Sequence, residues 1–457
     1  MSVPAVDRID DPRELLRESA AVPVSAADTA ACLHWLAERR EAHRFRVEPV
    51  DLDRLAGWHF TDGGDLRHDT GRFFSVRGLR SRREDGSRWT QPVLDQPEIG
   101  ILGILVTPID GVLHCLMQAK MEPGNSNVVQ LSPTVQATRS NYTRVHQGGA
   151  PPYLEHFVAP RAGRVLSDAL QTEQSSWFLR KRNRNMVVET TAEVPVLPDF
   201  RWLTLAQVYA LLRVDNVVNM DARTVLAGLP LPLAAAGAAD RSPAALSTDT
   251  ALLSWLTERR SRHRLEQQPC PLGELVDWIR APDRIERVDR RQFSVRGVAV
   301  RAGSREVTAW SQPMLRPAAR ADFALVVRRF DGVPHALMRA HVAAGTLDEI
   351  ELGPTVQWVP AEDDPPRYAG LVDDAAPGEV RYRTVLSEEG GRFYHALNRY
   401  TIVETAAAPV DQPDEYRWLS IEQLGALVQI GQLVNVEARS LLAAYRSRDD
   451  AAIERFP

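Results

Sequence analysis

The chain has 457 residues, of which 44% are hydrophobic and 25% charged, and its formal net charge is −5. This length can form about two or three domains with their own cores, and the acidic balance excludes the basic field typical of nucleic-acid-binding proteins. No run of about 18 apolar residues indicates a membrane span, and residues 1–20 lack the apolar core of a signal peptide. With three cysteines far apart, the sequence predicts a cytoplasmic soluble protein without a disulfide framework.

Short motifs that occur twice in the same order indicate an internal duplication. DGVLHCLMQA (110–119) returns as DGVPHALMRA (331–340), and RWLTLAQ (201–207) returns as RWLSIEQ (417–423). The spacing between the members of each pair hardly drifts along the chain, which chance does not explain. The sequence therefore predicts an N-terminal extension, a first repeat, a Pro/Ala/Gly/Ser-rich linker, a second repeat and a C-terminal tail, at residues 1–27, 28–229, 230–248, 249–445 and 446–457.

Each repeat is predicted to begin with an amphipathic helix, at 28–44 and at 249–264, and Asp28 or Thr29 is the expected N-cap of the first. Further apolar patterns predict buried or alternating strands at 99–108, 112–120 and 323–330, and helices at 201–214 and 417–430. Because the strands lie centrally and the helices lie around them, each repeat is expected to be an α/β/α or α+β sandwich.

A row of polar side chains is expected on one face of the strand 128–138. The period of two places five of them opposite the core-facing residues, namely Gln130, Ser132, Thr134, Gln136 and Thr138. This row is either the solvated face of a half-buried strand or the lining of a ligand site. It continues into a polar loop that contains Arg139, Asn141, Tyr142, Arg144 and His146. The second repeat keeps only Thr355 and Gln357, so the two copies are expected to differ in function.

A second polar cluster lies at 170–185. On a helix, Glu173, Trp177, Arg180 and Arg184 would share one face, and the segment is then either an exposed charged helix or a set of cations that pairs with a diphosphate.

The equivalent segment of the second repeat, 387–400, keeps Tyr394, Asn398 and Arg399 and adds Tyr400. Trp58 and Trp278 occupy equivalent positions and are expected either to pack in the core or to stack on a nucleobase.

Several familiar motifs are missing from the sequence. It contains no dinucleotide-binding G-x-G-x-x-G, no Walker loop, no nucleophile elbow, and no His or Cys spacing typical of a metal site. An enzyme of this sequence is therefore expected to work with its side chains alone.

Four motifs resemble the NDP-hexose 2,3-dehydratase family, which serves deoxysugar biosynthesis in antibiotic-producing bacteria: LSPTVQATRSNYTRVHQGG, LQTEQSSWFLRKRNRNMVVE, LGPTVQ and GGRFYHALNRYTIVE. The resemblance covers nearly the whole chain. It implies an α+β fold made by tandem duplication of two Nudix-hydrolase-like domains, each a mixed β-sheet flanked by helices. It also implies a homodimer with a nucleotide-sugar site in each half. The Nudix box with its metal-binding glutamates is missing, so neither a metal nor a cofactor is implied.

Members of this family remove the C2 hydroxyl of dTDP-4-dehydro-6-deoxy-glucose as water. The C4 ketone acidifies the proton at C3, a base removes that proton, and an acid assists the departing hydroxyl. The resulting 3,4-diketo sugar is a substrate for a downstream 3-ketoreductase. Two other functions stay open at this point, a non-catalytic nucleotide-sugar-binding protein and a Nudix-type nucleotide-sugar diphosphohydrolase.

The resemblance and the polar clusters together suggest a site. Tyr142 is expected to act as acid or base, Glu173 as base, and Lys181 as a donor to the enolate or the leaving group. The richer polar row favours the first repeat as the active site, while the second remains an alternative or a second nucleotide-sugar site. The residues expected to bind substrate are Trp58, Gln136, Thr138, Arg139, Ser140, Asn141, Arg184, Asn185, Trp278, Gln357, Tyr394, His395, Asn398, Arg399 and Tyr400.

Overall fold

The structure is a computed structural model, and it describes residues 2–3, 11–138, 151–158, 163–231, 245–303, 307–360 and 364–447. The α-helices of this part are α1 Pro12–Ala20, α2 Ala26–Ala42, α3 Glu155–Val158, α4 Leu205–Leu211, α5 Met220–Ala227, α6 Asp249–Arg262, α7 Ala369–Asp373, α8 Ile421–Ile430 and α9 Val436–Tyr445. Short 3₁₀ helices lie at Leu52–Arg54 and Leu272–Glu274. None of these helices is long and apolar enough to cross a lipid bilayer.

Strands make up most of the remaining regular structure, and they fall into two similar series. The first series is β1 Ser2–Val3, β2 Phe45–Val50, β3 Trp58–Phe60, β4 Leu66–His68, β5 Ser75–Arg83, β6 Arg88–Asp95, β7 Gly100–Ile109, β8 Val112–Met121, β9 Val129–Ser132, β10 Val135–Ala137, β11 Gly163–Thr172, β12 Arg182–Thr190, β13 Val194–Pro195 and β14 Phe200–Thr204. The second series is β15 Leu265–Cys270, β16 Trp278–Ala281, β17 Arg284–Arg287, β18 Ser294–Ala302, β19 Ala309–Arg316, β20 Asp322–Phe330, β21 Val333–Val342, β22 Ile350–Gly353, β23 Val356–Trp358, β24 Val380–Ser387, β25 Leu397–Glu404 and β26 Tyr416–Ser420.

Each repeat contains a mixed seven-stranded sheet of the same topology. In the first repeat the order is β11-β12-β7-β8-β14, with β9 paired to β8 and β10 to β7. In the second repeat β24-β25-β20-β21-β26 repeats this order, with β22 paired to β21 and β23 to β20. The pairs β12–β7 and β25–β20 are parallel, and the other pairs are antiparallel. The prediction of two mixed α and β copies is confirmed.

The two repeats exchange a strand in their smaller sheets. Strand β15 of the second repeat pairs antiparallel with β5 of the first, and β2 of the first repeat pairs antiparallel with β18 of the second. Each smaller sheet thus has five strands, four of its own and one from the other repeat. The sequence motifs did not predict this exchange, because either strand could equally pair within its own copy.

The central contact between the repeats is formed by the helices α5 and α9, which pack on each other. Every residue of α5 is buried, and one large cluster of apolar side chains continues from the first seven-stranded sheet through these helices into the second sheet. A shared core of this kind stabilises both copies together, because separating them would expose much of the cluster to water.

The first of the two predicted N-terminal helices begins slightly earlier than expected, and the second begins where it was predicted. Helix α2 begins at Ala26, and its N-cap is Ser25 rather than Asp28 or Thr29. The Ser25 side chain accepts the backbone N–H of Asp28, and the Asp28 carboxylate accepts the backbone N–H of Ser25, so the two form a capping box. Helix α6 begins at Asp249 with Thr248 as its cap.

Three helical predictions were wrong in whole or in part, and one of them is 417–430, where 417–420 belong to β26 and the helix begins at Ile421. Residues 173–181 form a turn between β11 and β12 instead of continuing a helix through 170–185, because 163–172 and 182–190 pair as strands. Likewise, 201–204 belong to β14, and the helix begins only at Leu205, where Thr204 and Gln207 form a capping box.

The predicted polar row does not stay on one face of one strand. Strand β9 pairs with β8, whereas β10 pairs with β7, and the chain crosses between these two partners at Pro133–Thr134. Leu131 therefore packs in the large central cluster, while Val135 packs in a different cluster. At this point the Thr134 hydroxyl donates to the Leu116 carbonyl and accepts the Leu105 N–H. It therefore bridges β7 and β8, and its role is structural.

Candidate active site

Two cavities lie at equivalent edges of the two seven-stranded sheets. The first pocket has a volume of about 240 Å³, and its polar lining is Gln96, Glu98, Lys120, Glu122, Gln136, Thr138, Glu173, Lys181, Asn183, Asp221, Gln312, Glu389 and Arg392. The second pocket has a volume of about 450 Å³, and its lining includes Arg83, Gln91, Gln174, Arg287, Arg291, His341, Gln357, Glu388, Asn398 and Glu437.

Each pocket is completed by the other repeat. Strand β19 covers the first pocket, where Trp310 donates to Gln312 at 2.8 Å and Gln312 donates to the Gly391 carbonyl at 2.5 Å. Strand β6 covers the second pocket with the equivalent chain of contacts from Trp89 to Gln91 and on to the Ser176 carbonyl, at 3.1 and 2.6 Å. Neither repeat would form its pocket alone.

In each pocket, an asparagine at the equivalent position holds a glutamate by a hydrogen bond. In the first pocket, Asn183 accepts the Gly100 N–H at 3.1 Å and donates to Glu173 Oε1 at 2.7 Å. In the second pocket, Asn398 accepts the Ala321 N–H at 2.9 Å and donates to Glu388 Oε1 at 2.8 Å. The Asn–Glu pair therefore belongs to the duplicated framework.

The ionisable side chains differ between the pockets. Alignment of the two copies through DGV, PTVQ and VET places an apolar, aromatic or neutral residue of the second pocket opposite most charged residues of the first. The first pocket has Lys120, Glu122, Lys181, Glu389 and Arg392 where the second has His341, Ala343, Ala396, Gln174 and Trp177. The first pocket thus has the groups that acid–base chemistry needs.

One wall of the first pocket is a charged hydrogen-bonded network. Lys120 Nζ donates to Gln136 Oε1 at 2.5 Å and lies 3.7 Å from Glu122 Oε1. Gln136 in turn donates to Glu122 Oε1 at 3.0 Å, and Ser132 donates to Gln136. Lys120 and Glu122 are both buried, so their interaction is little screened by solvent.

Three carboxylates meet in this pocket. One ligand oxygen from each of Glu122, Asp221 and Glu389 lies within 4.8 Å of the others. One oxygen of each carboxylate, Glu122 Oε2, Asp221 Oδ2 and Glu389 Oε2, accepts no hydrogen bond from any described residue. Burial and the neighbouring carboxylates raise the pKa of Asp221 well above its usual range and that of Glu389 to about 7. Three ionised carboxylates so close together would repel each other, so the trio retains protons at neutral pH unless a cation neutralises it.

This trio offers the hard oxygen ligands that a divalent cation prefers. The Lys120 ammonium, however, already supplies a positive charge 3.7 Å from Glu122. A side chain of the protein thus already supplies part of the positive charge that a cation would bring to the trio.

Glu173 and Lys181 form the opposite side of the first pocket, and both are buried. Burial raises the pKa of Glu173, while the charges of Arg439 and Lys181 and the Asn183 hydrogen bond act against this rise. Burial lowers the pKa of Lys181 to about 8, with the Glu173 charge opposing it, and its ammonium donates to the Glu98 carbonyl. A buried carboxylate beside a lysine with a lowered pKa is typical of acid–base sites.

The second pocket has a hydrogen-bonded glutamate and aromatic walls. Glu388 accepts hydrogen bonds from Gln174, Asn398 and Tyr400, at 2.7, 2.8 and 2.7 Å. The aromatic lining comprises Trp89, Trp177, Phe293, Phe323 and Trp358. Both oxygens of Glu388 thus accept hydrogen bonds from the protein, whereas Glu173 Oε2 accepts none from a described residue.

The structure brings several predicted site residues into the pockets. Gln136, Thr138, Glu173 and Lys181 line the first pocket, and Gln357 and Asn398 line the second. Tyr400 is fully buried and reaches the second pocket through its bond to Glu388. The predicted residues Arg139, Ser140, Asn141 and Tyr142, with Arg144 and His146 of the same loop, lie outside the described residues.

Other predicted residues lie away from both pockets. The indole N–H of Trp58 donates to the Ser311 carbonyl, and that of Trp278 donates to the Thr90 carbonyl, so both pack between the smaller sheets. Arg184 pairs with Asp168 and Arg399 with Asp322 at the surface.

Asn185 donates to Thr224 in the interior. Tyr394 and His395 stack on each other with ring centroids 4.1 Å apart, and Tyr394 borders a separate surface cleft.

The sequence motifs missed most of the charged lining. Lys120, Glu122, Asp221, Glu389 and Arg392 were not named as candidates, since they come from three separate segments of the chain. A signal for all but Asp221 exists in the duplication, because charged residues present in only one of two otherwise similar copies mark functional divergence; Asp221 aligns with the acidic Glu437. Only the three-dimensional structure shows that Glu389 and Arg392 of the second repeat line the first pocket.

The sequence is similar to those of known proteins over nearly its whole length. The chain matches the family described as NDP-hexose 2,3-dehydratase over residues 29–229 and 249–445. It is 52% identical over 440 residues to dTDP-4-dehydro-6-deoxy-alpha-D-glucopyranose 2,3-dehydratase of Streptomyces violaceoruber, covering 94% of this chain and 99% of the relative. It is 48% identical to the protein of that description from Saccharopolyspora spinosa, covering 90% of both chains, and 47% identical to that from Amycolatopsis orientalis, covering 90% of this chain and 88% of the relative. The chain belongs to the NDP-hexose 2,3-dehydratase family.

Proposed function

We propose that this protein removes water from C2 and C3 of dTDP-4-dehydro-6-deoxy-D-glucose, and that the reaction takes place in the first pocket. The relatives described above are named for this reaction. The first pocket is chosen because the side chains of the two pockets differ. Lys120, Glu122, Lys181 and Glu389 occur in the first pocket, and uncharged or less basic side chains occupy the equivalent positions of the second.

Glu173 is the proposed base. Its Oε2 accepts no hydrogen bond from a described residue, and its raised pKa makes it a stronger base than an exposed carboxylate. It takes the proton from C3, and the electron pair of the C3–H bond forms the C3=C4 double bond of an enolate. The Lys181 ammonium, which lines the same side of the pocket as Glu173, stabilises the negative charge that develops on the C4 oxygen.

The carboxylates of Glu122, Asp221 and Glu389 are the proposed proton source. As the C4 ketone re-forms, the electron pair moves to a C2=C3 double bond and the C2–O bond breaks. A proton from the trio joins the leaving hydroxyl, so the group departs as water. The enol product takes a proton at C2 and loses the hydroxyl proton at C3 to give the 3,4-diketo sugar, without net oxidation or reduction.

Glutamine variants of the two equivalent glutamates test the assignment. Glu173→Gln is expected to reduce turnover of dTDP-4-dehydro-6-deoxy-glucose by about 10²–10⁴-fold because it removes the base. Glu388→Gln, its match in the second pocket, should retain most of the turnover. Product is followed by mass spectrometry as loss of one water, without added NAD(P) or metal.

Full activity of Glu173→Gln would refute the proposed base, and loss of activity in Glu388→Gln alone would move the reaction to the second pocket. Release of dTMP that requires magnesium would instead indicate a diphosphohydrolase.

We also propose that residues 28–229 and 249–445 are two Nudix-hydrolase-like domains of a cytoplasmic homodimer in antibiotic deoxysugar biosynthesis, with a downstream 3-ketoreductase that consumes the product. The repeated sheet topology and the family membership support this proposal. Light scattering of the purified protein tests the homodimer directly, and a mass near 51.0 kDa, that of one chain, would contradict it.

A further inference from the structure

Two arginines lie completely buried at the centre of the molecule. Arg223 belongs to α5 and Arg439 to α9, and both side chains are 0% exposed. Among the described residues, neither guanidinium forms an ion pair with a carboxylate. Burying a charged group without a close counter-charge is costly, so a structure that does it twice, at equivalent positions, calls for an explanation.

Arg439 reaches from the second repeat into the first. Its Nη2 donates to the Thr172 carbonyl at 2.5 Å, and its Nε donates to the Thr224 hydroxyl at 2.6 Å. Its Nη1 donates to the Val434 carbonyl of its own repeat, also at 2.5 Å. Hydrogen bonds from a charged donor are the strong ones, and three of them fix the plane of the guanidinium.

Arg223 makes the same contacts in the opposite direction. Its Nη2 donates to the Ser387 carbonyl at 2.8 Å, and its Nε donates to the Ser440 hydroxyl at 3.2 Å. Its Nη1 donates to the Val218 carbonyl at 2.9 Å. Each arginine therefore holds one backbone carbonyl and one hydroxyl of the other repeat.

The backbone carbonyls that are held lie directly before the pocket glutamates. Thr172 precedes Glu173, which lines the first pocket, and Ser387 precedes Glu388, which lines the second. The residue after each glutamate lines the opposite pocket: Gln174 donates to Glu388, and Glu389 joins the carboxylates of the first pocket. The arginines therefore act where the chain passes from one pocket to the other.

We propose that Arg439 is a positioning residue for Glu173, and that Arg223 is the equivalent positioning residue for Glu388. This inference rests on the proposed function, in which Glu173 removes the C3 proton. Arg439 holds the end of β11, from which Glu173 projects, and its charge favours the ionised form of that carboxylate. The second repeat thereby contributes to catalysis a residue that does not line the first pocket.

The test compares methionine variants of the two arginines. In Arg439→Met, the pKa of Glu173 should rise because the nearby positive charge is lost, so the acid limb of the kcat/KM profile should move to higher pH, by roughly one unit. kcat should fall about tenfold or more while KM changes less. Arg223→Met should leave the pH of that limb unchanged, and Arg439→Lys should return it toward its original position.

Gentler variants keep the test valid if a buried methionine prevents folding. Thr224→Val removes one acceptor of Arg439 and also the acceptor of Asn185, so Asn185→Ala serves as the control for that second loss. Ser440→Ala removes the matching acceptor of Arg223. Thr224→Val should lower kcat several-fold, and Ser440→Ala should leave it unchanged, with thermal unfolding measured for both. An equal effect of the two variants, or an unmoved limb in a folded Arg439→Met protein, would overturn the positioning role. Full activity of Glu173→Gln would refute the proposed function instead, so the two failures can be told apart.

Discussion

The first and second pockets have the same framework and differ in the side chains that can transfer protons. Both are formed at equivalent sheet edges, both hold a glutamate through an asparagine, and both are closed by the other repeat. The first has Lys120, Lys181, Glu122 and Glu389 at positions where the second has no lysine or carboxylate, and the second has five aromatic rings in its lining. Duplication therefore preserved the framework in both pockets, while these lysines and carboxylates occur in one of them.

The largest loss of activity is expected when a residue of the first pocket is replaced by the equivalent residue of the second. Lys181→Ala introduces the residue found at the equivalent position 396. Without the ammonium to stabilise the enolate, kcat should fall about 10³-fold. Steady-state kinetics measures this, with a thermal unfolding curve to confirm folding. Turnover within about threefold of the wild type would remove Lys181 from the reaction.

The next substitution, Glu389→Gln, introduces the side chain of Gln174. Loss of one carboxylate from the trio should slow water release by about 10²-fold. Glu173 remains, so exchange of the C3 proton with deuterium from solvent, followed by NMR, should continue.

If Glu389→Gln lost deuterium exchange at C3 as well as elimination, separate roles for the base and the acid would be contradicted.

The pH dependence of the wild-type rate gives a further prediction. Because burial raises the pKa of Glu389 to about 7 and the proton donor must be protonated, the rate should fall as the pH rises through that value. Glu389→Gln should lose this basic limb of the pH profile.

Two glycines test the shared framework. A Cβ on Gly124 would lie 1.8 Å from the Phe393 carbonyl oxygen, and one on Gly345 would lie 2.2 Å from the Phe178 carbonyl oxygen. These atoms are backbone and cannot easily move aside. Gly124→Ala and Gly345→Ala should each lower the free energy of unfolding by about 2–4 kcal/mol, measured by urea denaturation. Gly345 also has a φ of +80°, which adds backbone strain to its substitution. Gly378→Ala, in open space, is the control, and an effect of either substitution no larger than that of the control would contradict the close contact.

The smallest difference in activity between equivalent substitutions is expected at Gln136 and Gln357, the glutamines of the two PTVQ motifs. Gln136→Ala removes a partner of Lys120 and Glu122 and should lower kcat/KM about tenfold. Gln357, its equivalent, accepts from Asn435 in the second pocket. Gln357→Ala should change kcat by less than about twofold. A larger effect would show that the second pocket takes part in turnover.

The sequence allowed prediction of the duplication and of the mixed sheets, because motif order and alternating apolar residues are local signals. Glu173 and Lys181 were named from a polar cluster and a family resemblance; both line the first pocket, and their catalytic roles stay predictions. It did not allow prediction of the turn at 173–181, since the same charged residues fit a helix as well as the end of a hairpin. Glu122 and Asp221 were missed because they lie far apart in sequence and their carboxylates become neighbours only in the folded chain. Glu389 required knowledge of a contact between repeats, which no pattern within either copy reports.

The exchange of β2 and β15 has a consequence for how the chain folds. The pairs β2–β18 and β15–β5 join residues that lie far apart in sequence, so neither smaller sheet is complete until segments of both repeats are available. Contacts of such long range slow folding and leave unpaired strand edges exposed during synthesis. A ribosome that has made only the first repeat holds an open sheet edge at β5, which its proper partner covers only after β15 has emerged.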